Sequence, residues 1–337
     1  MRRLKTIAIP AVAALVLGTV LLLATGADPL AAYGAILSGA FGPDGITDTL
    51  AYAVPVVGLA TALAVPLRAG LVNLGGEGQL VLGAISAVAV GPHVPGPGFV
   101  RLALALLAGP AAGAGYAALA AVCETRFRVP LLISTLLLSY PALSLAGYLV
   151  RFPMKDAGSS LPQSAQLPPG VRLPEFGAGG VTSGILLVLA VVVAYAVVDA
   201  RTPAGFEARV TGWAPRFAAY AGIDRPRLTI RLLAASGGIA GLVGAIVVLG
   251  FPYRFIDGAL ITPQYTWIGL LAALLAGASP LGTLLAALFF AALTSGGFAM
   301  ERATQVPREL TAILQAVLIL FLAATTGLLH RRRGGPA

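Results

Sequence analysis

Tyr52 to Val90 reads YAVPVVGLATALAVPLRAGLVNLGGEGQLVLGAISAVAV, two apolar runs on either side of a polar break. The break is Leu71-Val72-Asn73-Leu74-Gly75-Gly76-Glu77-Gly78-Gln79, in which three polar side chains and three glycines fall within seven residues. Neither flank alternates polar and apolar positions as a half-buried strand does; both are Ala/Leu/Val runs of helix length. The break admits two readings. One is a tight inner loop in which Asn and Gly turn the chain. The other is a helix broken within a membrane, whose freed backbone groups and Glu77 carboxylate line a polar cavity or hold two helices together. An ionisable group at membrane depth is costly unless satisfied, so Glu77 would need a partner.

The same texture continues in both directions. Hydrophobic residues make up 58% of the 337 and charged residues only 10%, against about 25% charged in soluble domains. Mean hydropathy is +0.91. That leaves too little polar surface to cover a water-facing body, so lipid must solvate much of the outside. A bilayer core requires about 20 apolar residues per helix. On that scale the sequence predicts an all-α, polytopic transmembrane bundle with ten spans: 7–25, 50–67, 78–91, 102–122, 131–150, 182–198, 232–250, 266–277, 281–299 and 310–329. Eight spans is the competing count, because 78–91 and 266–277 are short. The N-terminus (Arg2, Arg3 and Lys5, then an apolar run to Ala24) is read as an uncleaved first helix: the run is long for a signal peptide, and Ala24-Thr25-Gly26-Ala27 is a poor cleavage site.

Charge gives the orientation. With the N-terminus inside and ten alternating spans, 15 of the 22 Lys and Arg residues fall in inner segments and 7 in outer ones, the bias expected of an N-in, C-in protein. The whole chain, 1–337, then reads as one transmembrane domain. Residues 26–49 form an outer loop carrying Asp28, Asp44 and Asp48, 151–181 form an outer Pro/Gly/Ser-rich loop, and 201–229 form the most charged inner loop.

Several functions are excluded or disfavoured. The net charge of +9 does not mark nucleic-acid binding, because the basic residues sit in short gaps between spans and not in an aromatic-interleaved patch. The single cysteine, Cys123, excludes an internal disulfide and a Cys-based zinc site, and is expected as a small buried residue. His93 and His330 have no partner at ligand spacing, no catalytic cluster is visible, and no cofactor is implied. No Gly-x-x-x-x-Gly-Lys-[Ser/Thr] loop is present to cradle ATP phosphates, so energy for active transport must come from another polypeptide or an ion gradient.

The inner loop has its own order. Pro203 is placed to open a short helix, with Glu207 in its early turns. Phe206, Val210 and Trp213 recur at i, i+4 and i+7, predicting one apolar face. A second short helix, Pro215 to Tyr220, ends at Gly222. Such a surface helix suits either a membrane interface or the grip of a cytoplasmic partner. In the last spans Thr283, Thr294, Ser295, Thr311, Thr325 and Thr326 read as helix-packing residues, and Gln315 is expected to face protein or a cavity. If spans two to five and seven to ten form inverted halves, 78–91 and 266–277 occupy matching places, a pointer to a transporter's binding site.

These residues carry a family resemblance. Asn73-Leu-Gly-Gly-Glu-Gly-Gln-Leu-Val-Leu-Gly83 resembles the Asn-Ile-Gly-x-Glu-Gly-Gln signature of ABC importer permeases for nucleosides and simple sugars, within the branched-chain amino acid and ribose permease group. Ser134-Thr-Leu-Leu-Leu-Ser-Tyr140 is similar to its Thr-Ile-Met-Leu-Asn-Tyr stretch, and Arg151 to Ser164 resembles the outer loop of the nucleoside branch. Gly205-Phe-Glu-Ala-Arg209, Gly212 and Tyr220-Ala-Gly-Ile223 resemble the loop that docks on the ATPase, and Leu274 to Gly282 is similar to a later stretch. The resemblance runs from about residue 50 to 329. Departures are Gly76 for Val or Ala, Ser139 for Asn, and Ala208 for Leu.

The resemblance implies a non-enzymatic permease subunit in a bacterial cytoplasmic membrane, translocating nucleosides, with simple sugars as the alternative. It implies a cytoplasmic ATP-binding subunit, a second permease subunit forming a homo- or heterodimer, and an extracytoplasmic substrate-binding lipoprotein. It places coupling to the ATPase on Gly205, Phe206, Glu207, Ala208, Arg209 and Gly212, and suggests Asn73, Glu77 and Gln79 for the translocation path. An ion-coupled carrier is the less favoured reading, since Glu77 is the one mid-membrane acid available to it; a membrane enzyme or scaffold is less favoured still.

Overall fold

The computed structural model describes residues 12, 15–24, 26–176, 180–304, 306, 309–310, 312–313 and 316. These are helical, with isolated two-residue bridges and no strand among the described residues. The helices are α1 (Leu15–Ala24), then α2 (Pro29–Phe41), α3 (Gly45–Leu67), α4 (Gly76–Val90), α5 (Gly98–Phe127), α6 (Leu131–Arg151), α7 (Gly184–Arg201), α8 (Pro203–Trp213), α9 (Pro215–Tyr220), α10 (Arg225–Leu249), α11 (Tyr265–Leu275) and α12 (Pro280–Thr304). The chain divides into two compact units, one of residues 1–53 with 288–337 and the other of residues 54–287.

Six helices are long and apolar enough to cross a bilayer: α3, α5, α6, α7, α10 and α12. The expected spans 78–91 and 266–277 are present but short, at 15 and 11 residues. Their lengths of about 22 and 16 Å fall short of the roughly 30 Å hydrocarbon core. The span 310–329, the charged ends and most of 1–14 lie outside the described residues.

One expectation is corrected outright. Residues 26–49 are not a loop, because Pro29–Phe41 forms α2 and α3 already begins at Gly45. Asp28, read as a loop acid, is the N-cap of α2: its side chain accepts from the Leu30 amide at 2.9 Å, with Pro29 at the first helical position. Likewise α10 starts at Arg225, seven residues before the apolar run, because Asp224 caps the Arg227 amide at 3.1 Å and the early arginines project outward.

In the smaller unit α2 lies against α12. The Thr49 hydroxyl donates to the Ala40 carbonyl at 2.9 Å, the Tyr52 and Phe298 rings meet edge-on at 6.0 Å, and Leu22, Ala32, Ile36, Met300, Val306 and Leu310 form the core.

In the larger unit α10 is the central helix. Buried residues make up 67% of its most apolar window and 72% of that of α3, but only 22% for α5 and 28% for α7, so these last two present most of their surface outward. Lipid is as apolar as leucine, and helix association therefore relies on close backbone approach. Gly237 and Gly241 of α10 pack against Gly109 and Gly113 of α5, two small-xxx-small pairs face to face, and a Cβ on Gly244 would run into the Leu80 carbonyl of α4.

At one end of this unit, the segment 152–183 is laced to the connection 250–264. Ser164 N–H donates to the Phe255 carbonyl at 2.9 Å, Leu167 N–H to Tyr253 at 2.8 Å and Leu173 N–H to Leu249 at 2.7 Å. Arg254 pairs with Asp156 at 3.6 Å and Arg151 with Asp257 at 2.6 Å. Arg172 stacks on the Tyr253 ring, whose hydroxyl donates to Glu175. These contacts tie the described parts of the two segments into a packed cap.

Candidate functional site

The break is not a surface turn. After a turn at Arg68–Gly70, residues 71–75 run without helix into the interior, and α4 begins at Gly76. Asn73 is 1% exposed, and its Nδ2 donates to Gln79 Oε1 and to Ser236 Oγ, both at 2.9 Å. Ser236 lies near the middle of α10, so the break sits at mid-depth of the long helices. Gln79 Nε2 donates back to Asn73 Oδ1 at 3.2 Å, and that oxygen also accepts the Gly75 amide at 2.9 Å. The Leu74 amide donates to the Thr135 hydroxyl of α6 at 3.1 Å. The freed backbone of a broken helix is thus satisfied by side chains, as burial in apolar surroundings requires.

Of the three residues suggested for the path, Asn73 and Gln79 are closed on each other inside the fold. Glu77 is separate and half-buried, with the Trp267 indole of α11 close to its carboxylate. Trp267 is 43% exposed, and its neighbour Thr266 is buried with a hydroxyl that has no partner among the described residues. The N-terminal ends of α4 and α11, the two short helices, therefore meet at Gly76–Glu77 and Thr266–Trp267. The sequence paired these two segments only on the assumption of inverted halves, and Thr266 and Trp267 themselves were not singled out.

The second cluster surrounds α8. Thr202 caps it, accepting the Gly205 amide at 3.3 Å, with Pro203 opening the first turn as expected. α9 follows and ends before Gly222, which takes the left-handed conformation at φ +81°. The apolar face read from the sequence is not the face that packs inward. Gly205, Ala208 and Thr211 are buried, whereas Phe206 is 55% and Trp213 83% exposed. Small residues win the inner face because α8 lies directly on backbone. A Cβ at Gly205 would sit 2.7 Å from Asp199 Cα, and one at Gly212 would meet the Arg68 carbonyl oxygen.

Arg209 reaches Asp199 at 3.4 Å. The same carboxylate receives Arg68 through two bonds, Nε to Oδ1 at 2.9 Å and Nη2 to Oδ2 at 3.1 Å. That hydrogen-bonded pair raises the pKa of Arg68 above its ordinary value. Arg68 and Asp199 were missed in the sequence, although an acid at the end of an apolar span signals a required partner. Glu207 is half-buried on α8, with Asp199 pairing Arg209 beside it.

Among the other expectations, Cys123 is half-buried rather than buried, and the exposed His93 ring bonds the Ala89 carbonyl at 2.8 Å. Thr294 bonds back to Phe290 and Ser295 to Gly39, as packing residues do. Thr311, Gln315, Thr325, Thr326 and His330 lie outside the described residues.

A family model described as branched-chain amino acid transport system / permease component matches residues 45–323. A glucose ABC transporter permease of Haloferax volcanii is 36% identical over 96% of this chain and 90% of its own length. A guanosine ABC transporter permease of Bacillus subtilis is 30% identical, covering 96% of this chain and 95% of the relative. A nucleoside ABC transporter permease of Lactococcus lactis is 26% identical over 91% of this chain and 87% of the relative.

Proposed function

This chain belongs to the branched-chain amino acid transport system permease family, and from that premise we propose that it carries nucleosides inward, driven by ATP hydrolysed on a partner. It is an ABC permease of the nucleoside and simple-sugar importer group, a multi-pass protein of the cytoplasmic membrane, and a transport component rather than an enzyme. The observation that carries the nucleoside reading is full-length similarity to permeases named for guanosine and for nucleosides. A second reading, simple sugars, is favoured by the 36% identity to a glucose permease.

In this proposal the 201–229 loop faces the cytoplasm. Gly205, Ala208 and Gly212 seat α8 on the membrane helices, Arg209 ties it down, and Phe206 and Glu207 meet the ATPase. Exposed Trp213, Phe217 and Tyr220 extend that aromatic surface, of the kind that interfaces favour. Asn73 and Gln79 hold the break open and Glu77 faces the path, with the Trp267 ring offering a flat surface for a base or sugar. A second permease completes the path, and a binding lipoprotein delivers solute to the cap built from 152–183 and 250–264. No ion gradient is used.

The test is uptake of labelled guanosine, adenosine, glucose and ribose in a deletion strain complemented with wild type or Glu207→Ala. Wild type is expected to restore nucleoside uptake, while the variant inserts normally and transports poorly. Restoration of sugar uptake alone overturns the substrate and leaves the family intact. Uptake that persists without an ATPase partner overturns the mode of energy supply.

A further inference from the structure

Asp199 stands where three parts of the larger unit meet. Its carboxylate binds Arg209 on α8 and Arg68 at the end of α3. Arg68 Nη1 also donates to the Gly277 carbonyl at 3.4 Å, in the turn that ends α11. One turn back along α7, the Tyr195 hydroxyl donates to the next carbonyl of that turn, Ala278, at 2.6 Å. The turn after α11 is therefore held at the end facing α8, and α4 is joined to Arg68 through the break. The α4 break begins three residues after Arg68, at Leu71, and α11 finishes beside Gly277. Their other ends meet at Gly76 and Thr266.

Packing supplies the bearing surface for this linkage. α8 touches Val198–Asp199 through Gly205 and Arg68–Ala69 through Gly212, and Ala208 lies in one buried cluster with Ala69 and Leu71. A push on α8 thus falls on the residues that lead into the break. The Asp199 side chain is only 10% exposed, where solvent screens a charge least. One buried carboxylate between two guanidinium groups fixes their separation; an amide in its place can accept hydrogen bonds but leaves two like charges facing each other.

We infer that Asp199 is the positioning residue through which movement of α8 reaches both short helices, its carboxylate gripping Arg209 on one side and Arg68 on the other. The inference rests on the proposed coupling role of α8, and it adds a transmission route from that helix to the Gly76–Thr266 meeting point.

The experiment uses the full importer, permease with its ATPase partner and binding protein, in proteoliposomes. A single reporter cysteine, Trp267→Cys in a Cys123→Ser background, is labelled with a thiol reagent with and without ATP. ATP is expected to change the labelling rate by at least about 5-fold with Asp199 intact. Asp199→Asn is expected to remove that change while ATP hydrolysis continues, and Asp199→Glu, which keeps the charge, to restore it. The relay is overturned if Asp199→Asn keeps the full ATP response, if ATP produces no response with Asp199 intact, or if hydrolysis and response fall together and Asp199→Glu rescues neither. Uptake of labelled guanosine by parallel vesicles of the wild-type permease, with Trp267 and Asp199 in place, reports separately on the proposed substrate: its absence while the reporter vesicles keep the ATP response sinks the nucleoside reading and leaves the relay standing.

Discussion

Gly76 and Thr266 face each other at the starts of two different helices, so closely that a Cβ added to Gly76 would lie 2.7 Å from the Thr266 methyl group. Threonine is stiff at χ1 and yields little. Gly76→Ala is expected to lower stability by about 1–3 kcal/mol through overpacking. Adding Thr266→Ser, which removes the methyl and keeps the hydroxyl, is expected to recover most of the loss. Thermal unfolding of the purified permease and its variants reads the coupling as a double-mutant cycle; additive losses would contradict the contact.

The Asn73–Gln79 pair makes a different prediction. Each side chain satisfies the other at 1% exposure. Removing one strands its partner, at a cost of about 1–3 kcal/mol. Asn73→Ala is expected to be worse than Gln79→Ala, because it also frees Ser236 and the Gly75 amide. The same unfolding measurement ranks them, and the reverse order would show that Asn73 does not organise the break.

Glycines on one helix are expected to differ sharply in tolerance. A Cβ on Gly113 of α5 would run into the Gly237 carbonyl oxygen, whereas one on Gly115 would have open space around it. Gly113→Leu is expected to abolish folded protein, and Gly115→Leu to leave the yield within about 0.5 kcal/mol of wild-type stability, as surface changes do. Fluorescence-detected size exclusion of tagged variants separates the two outcomes.

Loss of the aromatic surface around α8 is expected to act on assembly alone. Trp213→Ala and Tyr220→Ala remove rings that are 83% and 93% exposed, so the permease should fold normally. Interface anchors are worth about 2 kcal/mol or more, which is roughly a 30-fold weaker hold on the proposed ATPase partner. Co-purification of that partner checks this; undiminished recovery with both variants would remove the surface from the interface.

Much of this was legible in the sequence. The apolar runs gave the long helices, and the glycine-rich break at 71–79 marked the place where helix gives way to satisfied irregular backbone. Pro203, Pro215 and Gly222 bounded α8 and α9 because their backbone effects are local. The spacing of Phe206, Val210 and Trp213 announced an apolar face of α8 but not the small-residue face on which the helix is seated. Here the helix lies on backbone, and only Gly205, Ala208 and Gly212 fit. α2 was hidden because Asp28 looks like a loop residue until it is recognised as a cap. The Arg68–Asp199 pair joins positions 131 residues apart, and no local pattern announces such a partner.

The seam between α5 and α10 also bears on how this chain can change over generations. Where Gly237 and Gly241 meet Gly109 and Gly113, backbone touches backbone, and no larger residue can be exchanged for another. The outward-facing surfaces of α5 and α7 accept almost any apolar substitute. Drift is therefore channelled to the lipid side, and under the proposed function a new solute preference arises away from the seam, which is held fixed as the frame on which variation is tried.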